Sequence, residues 1–285
     1  MKPNTAVNAI LIVASLNLGA ITAAAAATAT DPVWSRIESS GKLVCGAIPN
    51  DPVGSWQDRK TGQWEGYEID LCRAIATDLS KEMGRKIQPD FKETSWGTVV
   101  LDIQSNKIDI WPGMSATAAR KKAVSMVGPL YSLAICGVTS KKFTGGDTWE
   151  GLNKSDVRIA TVAGTSQEGP IKKLTPKATH ISLPEFSQVA LAVQSGRADM
   201  MGADILRCLP VPKTAPDAFG RVVFPKPVYS MPSSAGLSKN AVHLTAWLQK
   251  WADKNREAGK IKSIFLKVLN KAGYDISLVP SEVQF

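Results

Sequence analysis

The chain has 285 residues, 44% of them hydrophobic and 21% charged, a balance that excludes disorder and leaves room for two domains of ordinary size. Its formal net charge is +9, yet the basic residues are dispersed and no Lys/Arg block or nucleic-acid motif accompanies them. The charge therefore describes a soluble basic protein and not a binder of nucleic acid.

The first residues read as an export signal. Lys2 precedes the apolar stretch Ala9 to Leu16, and the small-residue run Ala23 to Ala27 follows. The apolar stretch is too short and too punctuated to span a bilayer. Cleavage near Ala27 would remove residues 1–27 with one cation and no anion, leaving a periplasmic chain of charge +8. No cysteine sits near this exit, which argues against a lipid anchor, and no later segment is long and apolar enough to cross a membrane.

Lys42 to Ile48 is predicted as a buried strand, and Pro49 to Gly62, rich in Pro, Gly and Asp, as a loop. A helix follows, with Ile69, Cys72, Ile75, Ala76, Leu79 and Met83 on one face and Gly84 just past its end. Ile87 to Phe91 is a strand, Trp96 to Ile103 a helix and Ile108 to Trp111 the next strand. This alternation implies a parallel sheet with helices on its faces, which binds ligands beyond the carboxyl ends of its strands. Ser132 to Val138 reads as an extended crossing segment. A second alternating unit then begins with the strand Val157 to Val162, and Gly164-Thr165-Ser166 opens a helix reaching about Leu174. His180 to Leu183, Ala198 to Met201 and Val222 to Phe224 are strands, with Phe186 to Val193 helical between the first two. Ser234 to Ser238 is a second crossing. The helices after it, carrying Leu244, Trp247, Leu248 and Trp251, then Ile261, Ile264, Phe265 and Val268, return to the first unit. Two crossings make a two-strand hinge, about which a pair of domains can close on a ligand.

One phrase occurs twice. Gln104-Ser105-Asn106-Lys107-Ile108-Asp109 recurs 90 residues later as Gln194-Ser195-Gly196-Arg197-Ala198-Asp199. Val99 to Ile103 leads into the first copy and Val189 to Val193 into the second, so each reads helix, polar turn, buried strand. The groups after the two strands should then occupy matching places, and a site between the units follows.

After the first repeated strand come Gly113, Ser115, Thr117 and Arg120; after the second comes Asp204. A fixed guanidinium can hold a carboxylate through two parallel hydrogen bonds, and Ser115 offers a hydroxyl beside it. Thr165 and Ser166 lie at a helix start, where backbone N–H groups attract anions. Asp204 can receive a cation. Together these groups fit a zwitterion, its carboxylate toward Arg120 and Ser166 and its ammonium toward Asp204. Singly, each has a plainer reading as a helix cap or a solvated residue; their joint placement at matching strand ends favours a site. Trp56 and Trp96 lie near the same ends and can wall a ligand, whereas Trp111 reads better as core. Enzyme signatures are scarce: His180 and His243 have no partner at metal spacing, and phosphate, dinucleotide and nucleophile-elbow motifs are absent. No metal or cofactor is expected. Cys45, Cys72, Cys136 and Cys208 allow three pairings. Buried thiols are one outcome; if bridges form, Cys45–Cys72 and Cys136–Cys208 are the choices within units.

The ordered set of Gly41-Lys42-Leu43, Gly66-Tyr67-Glu68-Ile69-Asp70-Leu71, Gln104 to Asp109, Gly113-Met114-Ser115 with Thr117 and Arg120, Gly164-Thr165-Ser166, and Gly196-Arg197-Ala198-Asp199 leading to Asp204 resembles the periplasmic solute-binding proteins of amino-acid ABC transporters. The resemblance implies an α/β, two-lobed Venus-flytrap fold, with lobe one at 31–136 plus 236–285 and lobe two at 137–235. It implies a non-catalytic monomer that captures an amino acid or derivative and hands it to a membrane permease. Arg120 would grip the ligand's carboxylate with help from Ser115 and Ser166, Asp204 would take its amino group, and Trp96 would form one wall. The family's aromatic-Pro-Phe after the first strand is replaced by Pro49-Asn50-Asp51-Pro52-Val53-Gly54-Ser55-Trp56, which leaves the other wall open between this run and Trp56. Asp51 would suit a basic ligand. An enzyme resembling cyclohexadienyl dehydratase, or a ligand-presenting partner of a receptor, are the alternatives.

Overall fold

The computed structural model describes Met1, residues 31–51 and 53–274, and positions 277, 279–281, 283 and 284. Apart from Met1, the proposed signal lies outside the described residues.

Helix α1 (Pro32–Ser40) begins at Asp31, whose Oδ1 accepts from the N–H groups of Val33 and Trp34, both at 2.9 Å. Its Oδ2 accepts from His243 and Leu244 at 2.8 and 3.1 Å, so one carboxylate satisfies orphan donors of two helix starts. Strand β1 (Lys42–Ala47) follows. Where the Pro-, Gly- and Asp-rich run suggested a loop, β2 (Asn50–Asp51), β3 (Ser55–Gln57) and β4 (Trp64–Glu65) form a small antiparallel sheet. Then come α2 (Tyr67–Glu82), β5 (Gln88–Glu93), α3 (Val99–Gln104), β6 (Ile110–Ser115), α4 (Ala118–Ala123) and the 16-residue strand β7 (Ser125–Ser140).

The second unit contains α5 (Trp149–Leu152), β8 (Arg158–Val162), α6 (Glu168–Leu174), β9 (Thr179–Leu183), α7 (Phe186–Gln194), β10 (Met200–Asp204), α8 (Ile205–Cys208), α9 (Val211–Thr214) and β11 (Phe219–Val223). Strand β12 (Ser230–Leu237) and helices α10 (Val242–Glu257) and α11 (Lys260–Lys271) complete the elements of the described residues.

Strand order is β5-β1-β6-β12-β7 in one sheet and β7-β10-β8-β9 in the other, with β11 also on β7. Strand β7 pairs with β12 over Ser125 to Ala134 and with β10 from Ile135 to Thr139, so one strand threads both lobes. The predicted parallel pairing holds for β1 with β5 and β6, and for β8 with β9 and β10. The pairs made by β7 and β12 are antiparallel: these are the strands that carry the chain between lobes.

Helical spacing put Ile69, Cys72, Ile75, Ala76 and Leu79 on one face of α2, and all are buried. Cys72, Ile75, Ala76 and Leu79 pack with Leu244 and Leu248 of α10 and Ile261 and Phe265 of α11 in the larger core. Burying one such side chain stabilises by roughly 1.5–3 kcal/mol. Trp111 is fully buried in a cluster with Val99, Ile103 and Ile108, as its predicted core role requires. The second lobe's core gathers Val138, Ala160, Val189, Val193 and Met201. Disulfides join Cys45 of β1 to Cys72 of α2 and Cys136 of β7 to Cys208 of α8, each pinning a helix to its sheet.

Candidate functional site

Strand β10 ends at Asp204, whose Oδ1 accepts from the N–H of Leu206 at 3.0 Å and so caps α8. One helical turn on, Arg207 returns its Nη1 to Asp204, 3.2 Å from Oδ1 and 3.0 Å from Oδ2. Its other donors cross to the first lobe. Nε donates to Asp51 Oδ1 at 2.6 Å, and Nη2 donates to Asp51 Oδ2 and to Glu68 Oε1, the latter at 3.1 Å. Gln167 Nε2 adds a bond to Asp204 Oδ2 at 2.8 Å.

Three buried carboxylates share one guanidinium here, and the charges respond accordingly. Burial pushes Glu68 up to about 8, with Arg207 opposing and Asp51 adding to the rise. Burial likewise raises Asp204 against the pull of Arg207. Burial would lower Arg207, but Asp204, Asp51 and Glu68 hold it well above its ordinary value. One cation cannot satisfy three acids, and burial favours the protonated form of Glu68. Its Oε2 is buried without a hydrogen-bond partner among the described residues.

Arg120 stands differently. Thr117 Oγ1 caps α4 by accepting from the Arg120 N–H at 3.2 Å. The guanidinium donates from Nη1 to the Ser115 carbonyl at 3.2 Å and from Nη2, across the lobes, to the Gly164 carbonyl at 3.1 Å. It is 7% exposed, and among the described residues no carboxylate pairs with it. Burial lowers its pKa to about 10, still far enough above neutrality to keep the charge. Ser166 Oγ donates to Ser115 Oγ at 2.9 Å, a second link across the gap.

Beside these groups lies a cavity of about 150 Å³. Its polar lining includes Asp51, Thr165, Gln167, Asp204 and Arg207, and its apolar lining includes Ile48, Trp96, Val162 and Phe186. The Arg120 and Arg207 guanidinium carbons lie 5.6 and 5.5 Å from the Trp96 ring, within cation–π range.

Of the predicted site residues, Asp51, Trp96, Thr165 and Asp204 line this cavity. Ser115, Arg120 and Ser166 are buried in the neighbouring contact between lobes. Gly113 packs against the Glu68 carboxylate, where a Cβ would collide. Trp56 lies elsewhere: it lines a separate depression with Trp64 and Arg73. Successive residues of a strand face opposite ways. Ser55 turns inward to bond Ile48, so Trp56 turns out of the cavity, and Ile48, Pro49 and Asn50 supply the wall it was expected to form. The acids have a partner within the chain: Asp204 and Asp51 both bond the Arg207 guanidinium. Arg207, Glu68 and Gln167 were not singled out from sequence; the spacing of Asp204 and Arg207 on one helical turn was the available signal.

Comparison with known proteins accords with this geometry. Residues 43–271 match the bacterial extracellular solute-binding proteins, family 3. The glutamine-binding protein GlnH of Bacillus subtilis is 26% identical over 169 residues, covering 59% of this chain and 60% of that one. The chain thus spans about 60% of the length of that curated relative. An ancestral amino-acid-binding protein described as a precursor of cyclohexadienyl dehydratase is 28% identical, with a TM-score of 0.71, over 82% of this chain and 98% of that one. A solute receptor for L-cysteine from Neisseria gonorrhoeae shares the fold at a TM-score of 0.73 and 19% identity, over 88% and 98% of the two chains. Among the described residues no helix is long and apolar enough to cross a membrane. The chain belongs to the bacterial extracellular solute-binding proteins, family 3.

Proposed function

We propose that this protein captures an amino acid or amino-acid-like solute between lobes at 31–136 plus 236–285 and 137–235, and delivers it to the permease of an ABC transporter. It acts as a periplasmic monomer freed of residues 1–27. Arg120 carries the reading: a buried guanidinium at the meeting of the lobes hydrogen-bonds only to backbone carbonyls among the described residues, which suits the carboxylate of a small guest. Ser115, Ser166 and Thr165 assist from both sides, and Trp96 walls the guest. The relatives described as amino-acid-binding proteins support the same solute class.

Purified protein should be screened by thermal shift against amino acids, amines, opines and small carboxylates, since a ligand of the folded state raises its unfolding temperature. A stabilising hit whose effect depends on Arg120 supports the reading; no hit across the set rejects it. The dehydratase alternative requires a positioned acid. Conversion of arogenate or prephenate by the purified protein would favour the enzyme instead.

A further inference from the structure

The acidic side of the site already holds a cation, and it belongs to the chain. All five N–H groups of Arg207 are engaged: Nε with Asp51, Nη1 with both oxygens of Asp204, Nη2 with Asp51 and Glu68. Asp204 is equally complete. A carboxylate offers about four lone-pair sites, and Asp204 accepts from Leu206, Gln167 and, at each oxygen, Arg207.

The seat of this guanidinium is built into the fold. A Cβ at Gly54 would lie 2.6 Å from Arg207 Nη2, and one at Gly113 would strike the Glu68 carboxylate, so two glycines leave the room the cluster needs. The next residue, Cys208, is bridged to β7 and fixes α8 in place. Arg120, by contrast, has no acidic partner among the described residues. The pair of sites is therefore lopsided: one cation awaits an anion, while the acid that could take an ammonium is satisfied. An α-ammonium entering here would find the lone pairs of Asp204 already taken by Arg207, Gln167 and Leu206, and a buried charge left without its partner is costly.

We propose that the ligand is a small carboxylate without an α-ammonium group, such as a 2-oxo, 2-hydroxy or unsubstituted acid, and that Arg207 is the specificity residue, standing in for the ammonium. This rests on the reading that Arg120 holds the ligand's carboxylate. The tail of the acid lies against Ile48, Val162 and Phe186, so apolar tails suit it best.

The test is calorimetry of the full chain at neutral pH with matched sets sharing a side chain. The sets are leucine, 4-methyl-2-oxopentanoate and 4-methylpentanoate; phenylalanine, phenylpyruvate and 3-phenylpropanoate; and alanine, pyruvate and lactate. At least one acid lacking nitrogen is expected to bind roughly tenfold or more tightly than its amino acid. In Arg207→Ala the order should reverse, because a ligand ammonium can then sit among Asp51, Glu68 and Asp204. Tighter binding of the amino acids by the unmodified protein overturns the proposal while leaving carboxylate capture intact. Unchanged binding in Arg120→Ala, or none in any set, overturns both. The comparison on the unmodified protein decides even if Arg207→Ala fails to fold, and a folded Arg207→Ala that keeps the original order removes Arg207 from the account.

Discussion

Asp109 and Asp199, 90 residues apart, hold their sheets by the same pair of bonds. The Asp109 N–H donates to the Val44 carbonyl at 2.8 Å while Oδ2 accepts from the Val44 N–H at 2.9 Å. Asp199 treats Arg158 alike, at 2.9 and 2.8 Å. Asn106 and Gly196, at matching places in the preceding turns, both take the left-handed conformation, with φ of 57° and 72°. An arginine then grips each carboxylate, Arg36 in one lobe and Arg158 in the other. The repeated phrase is thus one structural device used twice.

Replacing either aspartate by alanine should destabilise the fold. Asp109→Ala strips a partner from a backbone N–H and from Arg36, and leaving a buried donor unsatisfied costs about 1–3 kcal/mol. Its side chain is fully buried while that of Asp199 is 20% exposed, so Asp199→Ala should cost less. Urea unfolding of both variants checks the order; equal, negligible losses would remove this role.

Arg120→Ala should weaken ligand binding by about 2–5 kcal/mol, the usual cost of truncating one partner of a buried charged contact. The unfolding temperature without ligand should stay near that of the unmodified protein, because the lost guanidinium bonds only two backbone carbonyls. Arg120→Lys should recover only part of the affinity, since an ammonium lacks the planar fork. Calorimetry that finds full affinity in Arg120→Ala would reject the assignment.

The Glu68 carboxyl stands at about 8 in the folded protein against an ordinary value of 4.5, chiefly through burial. The folded state then binds the proton more tightly than the unfolded chain. The resulting stability is complete below the ordinary value and is lost as pH rises through the folded one. Denaturant midpoints should therefore fall as pH climbs between those two values, and Glu68→Gln should flatten the slope. A slope that survives in Glu68→Gln must come from other groups.

The two disulfides enclose separations of 27 and 72 residues. Loop-closure entropy assigns them about 3.5 and about 4.4 kcal/mol, respectively. Paired serine replacements should each lower the unfolding temperature, and Cys136→Ser with Cys208→Ser should also disturb α8, the carrier of Arg207. Thermal unfolding joined to the binding assays tests this. Unaltered ligand preference in that double variant would show that α8 keeps its place without the bridge.

The helix faces, the strand alternation, the capping residues and the doubled phrase could be read directly, because each depends on spacing over a few neighbouring residues. The face of α2 with Ile69, Ile75 and Leu79, and the turns at Asn106 and Gly196, are of this local kind. Arg120, Asp204 and Ser115 could be nominated because they follow repeated strand ends, and Ser166 because it lies at a helix start after another strand. The partner of Asp204, the outward turn of Trp56, the antiparallel course of β7 and β12 and the joining of the cysteines were settled only in three dimensions. Arg207 meets Asp51 across 156 residues of chain. Charges and thiols that find one another over such spans obey no local period: their pairing follows from where the packed sheets and helices set each side chain.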